Sequence, residues 1–67
     1  MIDARGRSCP EPVLMLRNAM ASKENYYEIS VDNRASFENV TRFATHAGYE
    51  VSSREDQGDY YLELTKK

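Results

Sequence analysis

Apolar and polar residues alternate in four segments of the chain, a pattern typical of strands with one buried face. The alternation is clearest over Tyr26–Asp32, where Tyr27, Ile29 and Val31 point the same way. Ser30 falls on the opposite side, which we expect to be wet. The other three predicted strands are Ile2 to Ala4, a segment with Tyr49 and Val51, and a segment with Tyr60, Leu62 and Leu64.

Two further segments repeat apolar residues every three or four positions, which predicts amphipathic helices. The first helix is predicted from Pro10 to about Ala21, and the second begins near Ser36 as its N-cap and stops at Gly48. The first apolar stripe contains Val13, Leu14, Met15, Leu16, Ala19 and Met20, and the second contains Phe37, Val40, Phe43, Ala44 and Ala47.

Polar segments between these elements predict the turns. Asp32 and Asn33 follow the second strand, and we expect them to form a turn and a hydrogen bond into the next helix. The charged run from Arg54 to Asp59 contains Gly58 and predicts the turn of a hairpin formed by the last two strands.

The element order β-α-β-α-β-β predicts an α+β fold, built as a two-layer α/β sandwich with both helices on one face of a mixed four-stranded sheet. Right-handed crossovers between neighbouring parallel strands place both helices on the same side. The other sheet face is then left to solvent or to a partner. We expect residues 1–67 to form a single domain, because so short a chain buries one small core. The periodicity does not fix the strand order.

Composition excludes several classes of protein. One cysteine rules out an intrachain disulfide framework, and one cysteine with one histidine cannot supply a structural zinc site. No apolar run approaches the ~18 residues of a membrane helix, and the first residues are too polar for a signal peptide, so we expect a soluble, cytoplasmic protein. A net charge of −2 makes nucleic acid an unexpected partner.

The lone cysteine, Cys9, lies where a predicted loop becomes a helix. Pro10 and Pro12 suit the first turn of a helix, where a missing N–H costs no hydrogen bond. The positive end of the helix dipole favours a thiolate at such a position. Arg5 and Arg7 would add to this effect, so the pattern predicts a nucleophilic sulfur.

Two considerations weigh on that prediction. Glu11 would oppose the effect if its carboxylate turned toward the sulfur. The structural alternative is that Cys9 is a small buried hydrophobic residue, the usual fate of a free cysteine. The proline-framed helix start favours the functional interpretation, since a buried cysteine has no need of one.

The run Ile2-Asp3-Ala4-Arg5-Gly6 followed by Cys9-Pro10-Glu11-Pro12-Val13 resembles the signature of the TusA/SirA-like sulfur-carrier family, a Cys-Pro-x-Pro motif at a helix start. Val31-Asp32-Asn33, Asn39-Val40, Arg42-Phe43-Ala44 and Gly48-Tyr49-Glu50-Val51 resemble its YedF-like, sulfurtransferase-like subgroup. The chain departs from the family at Ser22-Lys23-Glu24-Asn25, which replaces a glycine-containing turn.

The resemblance implies the same sandwich with strand order 1-2-4-3. It also implies that Cys9 accepts sulfane sulfur as a persulfide from a donor such as a cysteine desulfurase and relays it to an acceptor thiol protein. Arg5 and Gly6 would position the motif loop, and Pro10, Glu11 and Pro12 belong to the motif that shapes it. With no second cysteine, the persulfide cannot collapse into an intrachain disulfide, so transfer would run between proteins. No metal or organic cofactor is implied.

Other functions stay open at this point. A non-catalytic module of the same fold could bind a protein or RNA without a reactive thiol, and a Cys9 thiolate could also sense oxidants as a sulfenic acid. His46 is interpreted as a solvated residue of the last helical turn. The tyrosines are interpreted as residues of the core and sheet faces rather than as a stacking surface for bases.

Overall fold

A four-stranded sheet and two helices form the computed structural model of the chain, which describes residues 1–8 and 11–67. In chain order the elements are β1 (Ile2–Asp3), α1 (Glu11–Ala19), a 3-10 turn (Met20–Ser22), β2 (Tyr26–Val31), α2 (Arg34–His46), β3 (Tyr49–Asp56) and β4 (Asp59–Lys66). The sheet order is β1-β2-β4-β3, with β1 parallel to β2 and the other neighbours antiparallel. The predicted α+β fold is confirmed, as is the strand order that the resemblance implied.

Both helices pack against the sheet face that carries the alternating apolar residues. Ile29 of β2, Leu64 of β4, Leu16 of α1 and Val40 of α2 are fully buried together. Full burial of one such side chain stabilises a fold by roughly 1.5–3 kcal/mol. A core this small therefore depends on each of its members.

The prediction that the face of β2 opposite the helices is exposed to solvent is wrong at Ser30. It is only 1% exposed, although it lies on the face opposite the helices. Its hydroxyl donates to a carboxylate oxygen of Asp3 at 3.3 Å, and Arg5 forms an ion pair with the same carboxylate. Ser30 belongs to a central strand, so neighbouring side chains cover a position that strand alternation alone assigned to solvent.

The second helix begins earlier than predicted, because Asn33 and not Ser36 is its N-cap. Asn33 has extended backbone, with φ −152°, and its side-chain oxygen accepts the Ser36 N–H at 2.8 Å. The expected hydrogen bond from the polar turn into the helix is thus present, while Ser36 lies buried in the first turn. Asparagine and serine can both cap a helix, so the backbone conformation decides which of the two residues is the N-cap.

The end of α2 agrees with the predicted stop at Gly48. Gly48 has a φ of +90°, a left-handed conformation that glycine adopts without strain. Ala47, predicted on the apolar face, is instead an exposed C-cap residue. None of the helices in the described chain is long and apolar enough to span a membrane.

The first helix is shorter than its apolar stripe suggests. Regular α-helix ends at Ala19 and continues as the 3-10 turn, whose C-cap Lys23 has a φ of +57°. Lys23 thus takes the backbone conformation that glycine normally supplies, which explains how the chain turns here without one. Leu14, predicted on the stripe, is 39% exposed.

The hairpin turn is much tighter than the charged run predicted. β3 extends through Asp56 and β4 begins at Asp59, so Gln57 and Gly58 alone connect the strands. Both turn residues have positive φ, +53° and +85°, as a type I′ hairpin requires. Three of the charged residues that suggested a loop, Arg54, Glu55 and Asp56, lie instead at exposed positions of the edge strand β3, and Asp59 begins β4.

Candidate functional site

The structure describes some residues of the predicted site and not others. Cys9, the predicted nucleophile, and Pro10, the predicted helix start, lie outside the described residues. Arg5, Gly6, Glu11 and Pro12 of the predicted site are described, and they show how the chain is held on either side of the cysteine.

The chain leaves β1 through a turn that is tied to the neighbouring strand. The Ala4 N–H donates to the Ser30 carbonyl at 2.8 Å, and the Arg7 N–H donates to the Ala4 carbonyl at 3.3 Å. Between them, Gly6 has a φ of +78°, a conformation that other residues rarely adopt. A glycine at this position therefore allows the chain to turn immediately after the strand.

Asp32 holds this turn from the end of the adjacent strand. Its carboxylate accepts the Gly6 N–H at 2.7 Å, although the two residues are 26 positions apart. The carboxyl ends of the parallel strands β1 and β2 meet at one edge of the sheet, which brings the two loops together. The sequence predicted for Asp32 only a turn after β2 and a hydrogen bond into the next helix. The parallel pairing of the two strands was the signal that could have indicated the contact.

Arg5 lies between two carboxylates from opposite ends of the chain. Its guanidinium contacts Asp3 at 3.0 and 3.1 Å and Asp59 at 3.2 Å. The hydrogen bonds from Arg5 are the main reason that the pKa of Asp3 falls to about 2, and the same contacts raise the pKa of Arg5. Arg5 therefore links the end of β1 to the start of β4, and its charge is balanced locally.

Replacing Arg5 by Gln is expected to raise the pKa of Asp3 from about 2 part of the way toward the ordinary 3.8. At pH values above the ordinary Asp pKa, the Arg5–Asp3 pair contributes its full stabilisation to the fold. This contribution is lost as the pH falls toward 2, where the Asp3 carboxylate becomes protonated. NMR titration of the Asp3 carboxyl measures the change. Arg7→Gln is the matched control, because Arg7 pairs with Glu11 instead. Equal Asp3 titration in the wild type and Arg5→Gln would contradict the assignment.

Arg7 is paired as well. Its guanidinium lies 3.5 Å from the Glu11 carboxylate, and both side chains are more than half exposed. Exposed pairs of this kind contribute little to stability, so the Arg7 guanidinium can leave Glu11 at small cost. Both arginines expected to favour a thiolate thus contact carboxylates, and Glu11 faces Arg7.

The first turn of α1 is fixed to the core on the far side of the cysteine. The Ser8 carbonyl accepts the Glu11 N–H at 2.9 Å, so the residues that flank positions 9 and 10 lie close together. Pro12 is fully buried, which anchors the start of α1 against the rest of the protein. The expectation that Pro12 falls in the first helical turn is confirmed.

The remaining candidates occupy structural positions. His46 is exposed in the last turn of α2, as predicted. Tyr27 and Tyr49 are buried with ring centroids 5.8 Å apart, and Tyr60 stacks on Phe37 at 4.8 Å. Across residues 1–8 and 11–67, no three histidine, aspartate or glutamate side chains group so as to hold a metal ion.

Comparison with known proteins identifies the family. The model of the family described as Sulfurtransferase TusA matches residues 1–66. A protein of Methanocaldococcus jannaschii whose name includes the words "sulfur carrier protein" is 32% identical over 68 residues, which are 98% of this chain and 91% of that protein. Sulfur carrier protein TusA of Pseudomonas aeruginosa is 29% identical over 70 residues, covering 100% of this chain and 89% of the relative.

A solved structure shows the same architecture. The crystal structure of the SirA-like protein from Desulfitobacterium hafniense is similar with a TM-score of 0.81 and 31% identity, covering 96% of this chain and 92% of that chain. The sequence match and the structural match therefore both extend over nearly the whole chain, and the chain belongs to the TusA family.

Proposed function

We propose that this protein is a sulfur carrier in which Cys9 takes up sulfane sulfur as a persulfide and passes it to an acceptor protein. The observation that carries the proposal is that the family match spans residues 1–66 and so includes the one cysteine of the chain. Relatives that match over nearly the full length are named sulfur carrier proteins.

The proposed transfer consists of two thiolate attacks. In the first, the Cys9 thiolate attacks the outer sulfur of a donor persulfide, the donor S–S bond breaks, and the donor leaves as a thiolate. In the second, an acceptor thiolate attacks the outer sulfur of the Cys9 persulfide and Cys9 leaves as a thiolate. One sulfur atom moves in each step and no external oxidant or reductant is consumed.

The described residues around Cys9 support this chemistry by holding the chain on both sides of it. Before the cysteine, Asp32 fixes the Gly6 N–H, and after it, buried Pro12 fixes the start of α1. Cys9 precedes α1 by two positions in the sequence, and the positive end of a helix dipole favours a thiolate. Arg7, in its exposed ion pair, is available to an approaching anionic sulfur.

The partners follow from the cysteine count. With one thiol in the chain, both sulfur donor and sulfur acceptor must be other molecules. We propose a donor protein that carries a persulfide, such as a cysteine desulfurase, and an acceptor protein with a reactive thiol. No cofactor is required for either step.

The pH dependence of Cys9 alkylation separates this proposal from a non-catalytic binding module. We expect an apparent Cys9 pKa below the ~8.5 of a free cysteine, because the thiolate form is favoured at a helix start. Iodoacetamide labelling rates measured across pH 5–10 give this value, with a peptide of residues 5–12 as the unfolded control. Labelling with the same pH dependence in protein and peptide would favour the binding module instead.

A further inference from the structure

The sheet face opposite the helices forms a shallow concavity of about 250 Å³. Glu28 of β2, Glu63 and Tyr61 of β4, and Arg54 of β3 line it, with Met1 at one side. Its volume is below the roughly 300–1,000 Å³ typical of small-molecule pockets, so it suits an inserted side chain better than a whole ligand.

Two carboxylates face each other at this concavity, which Arg54 and the N-terminal residue Met1 also line. Glu28 and Glu63 are direct partners in the β2–β4 register, a position where like charges destabilise a sheet. Across the part of the chain that the structure describes, neither forms an ion pair. Glu28 accepts the Tyr26 hydroxyl at 2.8 Å, and this hydrogen bond is the main reason that the pKa of Tyr26 rises to about 12.

Arg54 also lines the concavity, but it forms no ion pair with either carboxylate. Arg54 places its guanidinium 4.5 Å from the centre of the Tyr61 ring, a cation–π contact. The apolar surroundings are accessible, since Met1 is 75% exposed and Tyr26 is 45% exposed. Among the described residues, the face thus combines two carboxylates that form no ion pair with aromatic and thioether surface.

We propose that this face is a docking site for a basic segment of a partner protein, with an arginine or lysine side chain placed between Glu28 and Glu63. A carboxylate pair supplies charge-assisted hydrogen bonds to a guanidinium, while Tyr61, Tyr26 and Met1 pack against its aliphatic stem. Nucleic acid does not fit this face, because its phosphates would meet the two carboxylates. The site is independent of sulfur transfer at Cys9.

NMR titration with a short peptide of alternating arginine and glycine tests the proposal. We expect chemical-shift changes centred on Glu28, Tyr61 and Glu63, and binding that weakens as salt is added. An acidic peptide of equal length and a short RNA are the comparison ligands. Shifts confined to the helical layer, equal binding of the acidic peptide, or binding of RNA alone would overturn the proposal.

Variants that remove charge provide a second test of the docking proposal. The Glu28→Gln/Glu63→Gln double variant is expected to weaken peptide binding at least about tenfold, whereas Glu55→Gln removes an exposed charge near the hairpin tip and leaves binding unchanged. The double variant loses a like-charge repulsion, so an unchanged or higher melting temperature shows that it is folded. Equal binding by the double variant would overturn the proposal.

Two controls distinguish docking of a partner protein from self-association and from sulfur transfer. Sedimentation at several protein concentrations detects a second copy, and a dimer lost on Arg54→Gln would replace the partner protein with self-association. Cys9→Ser is expected to bind the peptide as the wild type does, so failure of docking and failure of sulfur transfer are observed separately.

Discussion

Cys9→Ser is expected to abolish sulfur relay from a persulfide donor to an acceptor thiol. A serine hydroxyl is not ionised near neutral pH and cannot form a persulfide, so both proposed transfer steps lose their reacting atom. The measurement supplies a cysteine desulfurase and cysteine as sulfur source and follows sulfur that appears on an acceptor thiol.

The matched control moves the thiol by one position. In Ser8→Cys/Cys9→Ser the number of thiols is unchanged, yet the sulfur no longer occupies the position immediately before the proline of the motif. We expect relay by this double variant to stay far below that of the wild type. Relay by Cys9→Ser equal to that of the wild type would remove Cys9 from the mechanism, and full relay by the double variant would show that its position is immaterial.

Ile29→Ala is expected to unfold much of the protein at room temperature. Ile29 is fully buried on β2, paired with Ile2 on one side and Leu62 on the other. Truncation of a buried isoleucine to alanine costs about 2–5 kcal/mol in the free energy of unfolding. A core in a chain this short rarely supplies more than about 3–5 kcal/mol in total, so most of the stability would be lost.

Urea denaturation followed by circular dichroism measures this effect. Ile29→Val is the matched control, because it removes one methyl group and is expected to cost only about 0.5–1.5 kcal/mol. A loss below about 1 kcal/mol for Ile29→Ala would contradict the view that one small core on the helical side holds the sheet.

The fold was largely predictable because its core alternates regularly. Tyr27, Ile29 and Val31 are buried as the period of two required, and both helices appear where apolar residues repeat at helical spacing. The errors occurred where tertiary geometry decides between chemically similar choices. The second helix is capped by Asn33 and not by Ser36. Arg54, Glu55 and Asp56 lie in β3 and not in a loop, because an edge strand tolerates charged residues.

The surroundings of the motif were less predictable, since they depend on strand order. The Arg5–Asp59 ion pair joins residues 54 positions apart, and it forms because β4 inserts between β2 and β3. The Gly6–Asp32 hydrogen bond similarly requires β1 and β2 to be parallel neighbours. Periodicity alone left that order open. The opposed pair of Glu28 and Glu63 also becomes visible only once the register is known.

The intact mass of the protein after incubation with a cysteine desulfurase and cysteine tests the sulfur-carrier role most directly. We predict a gain equal to one sulfur atom, located on Cys9 by fragmentation, removed by a thiol reductant and prevented by prior alkylation. No gain in mass, or the same gain on Cys9→Ser, would contradict the proposed role.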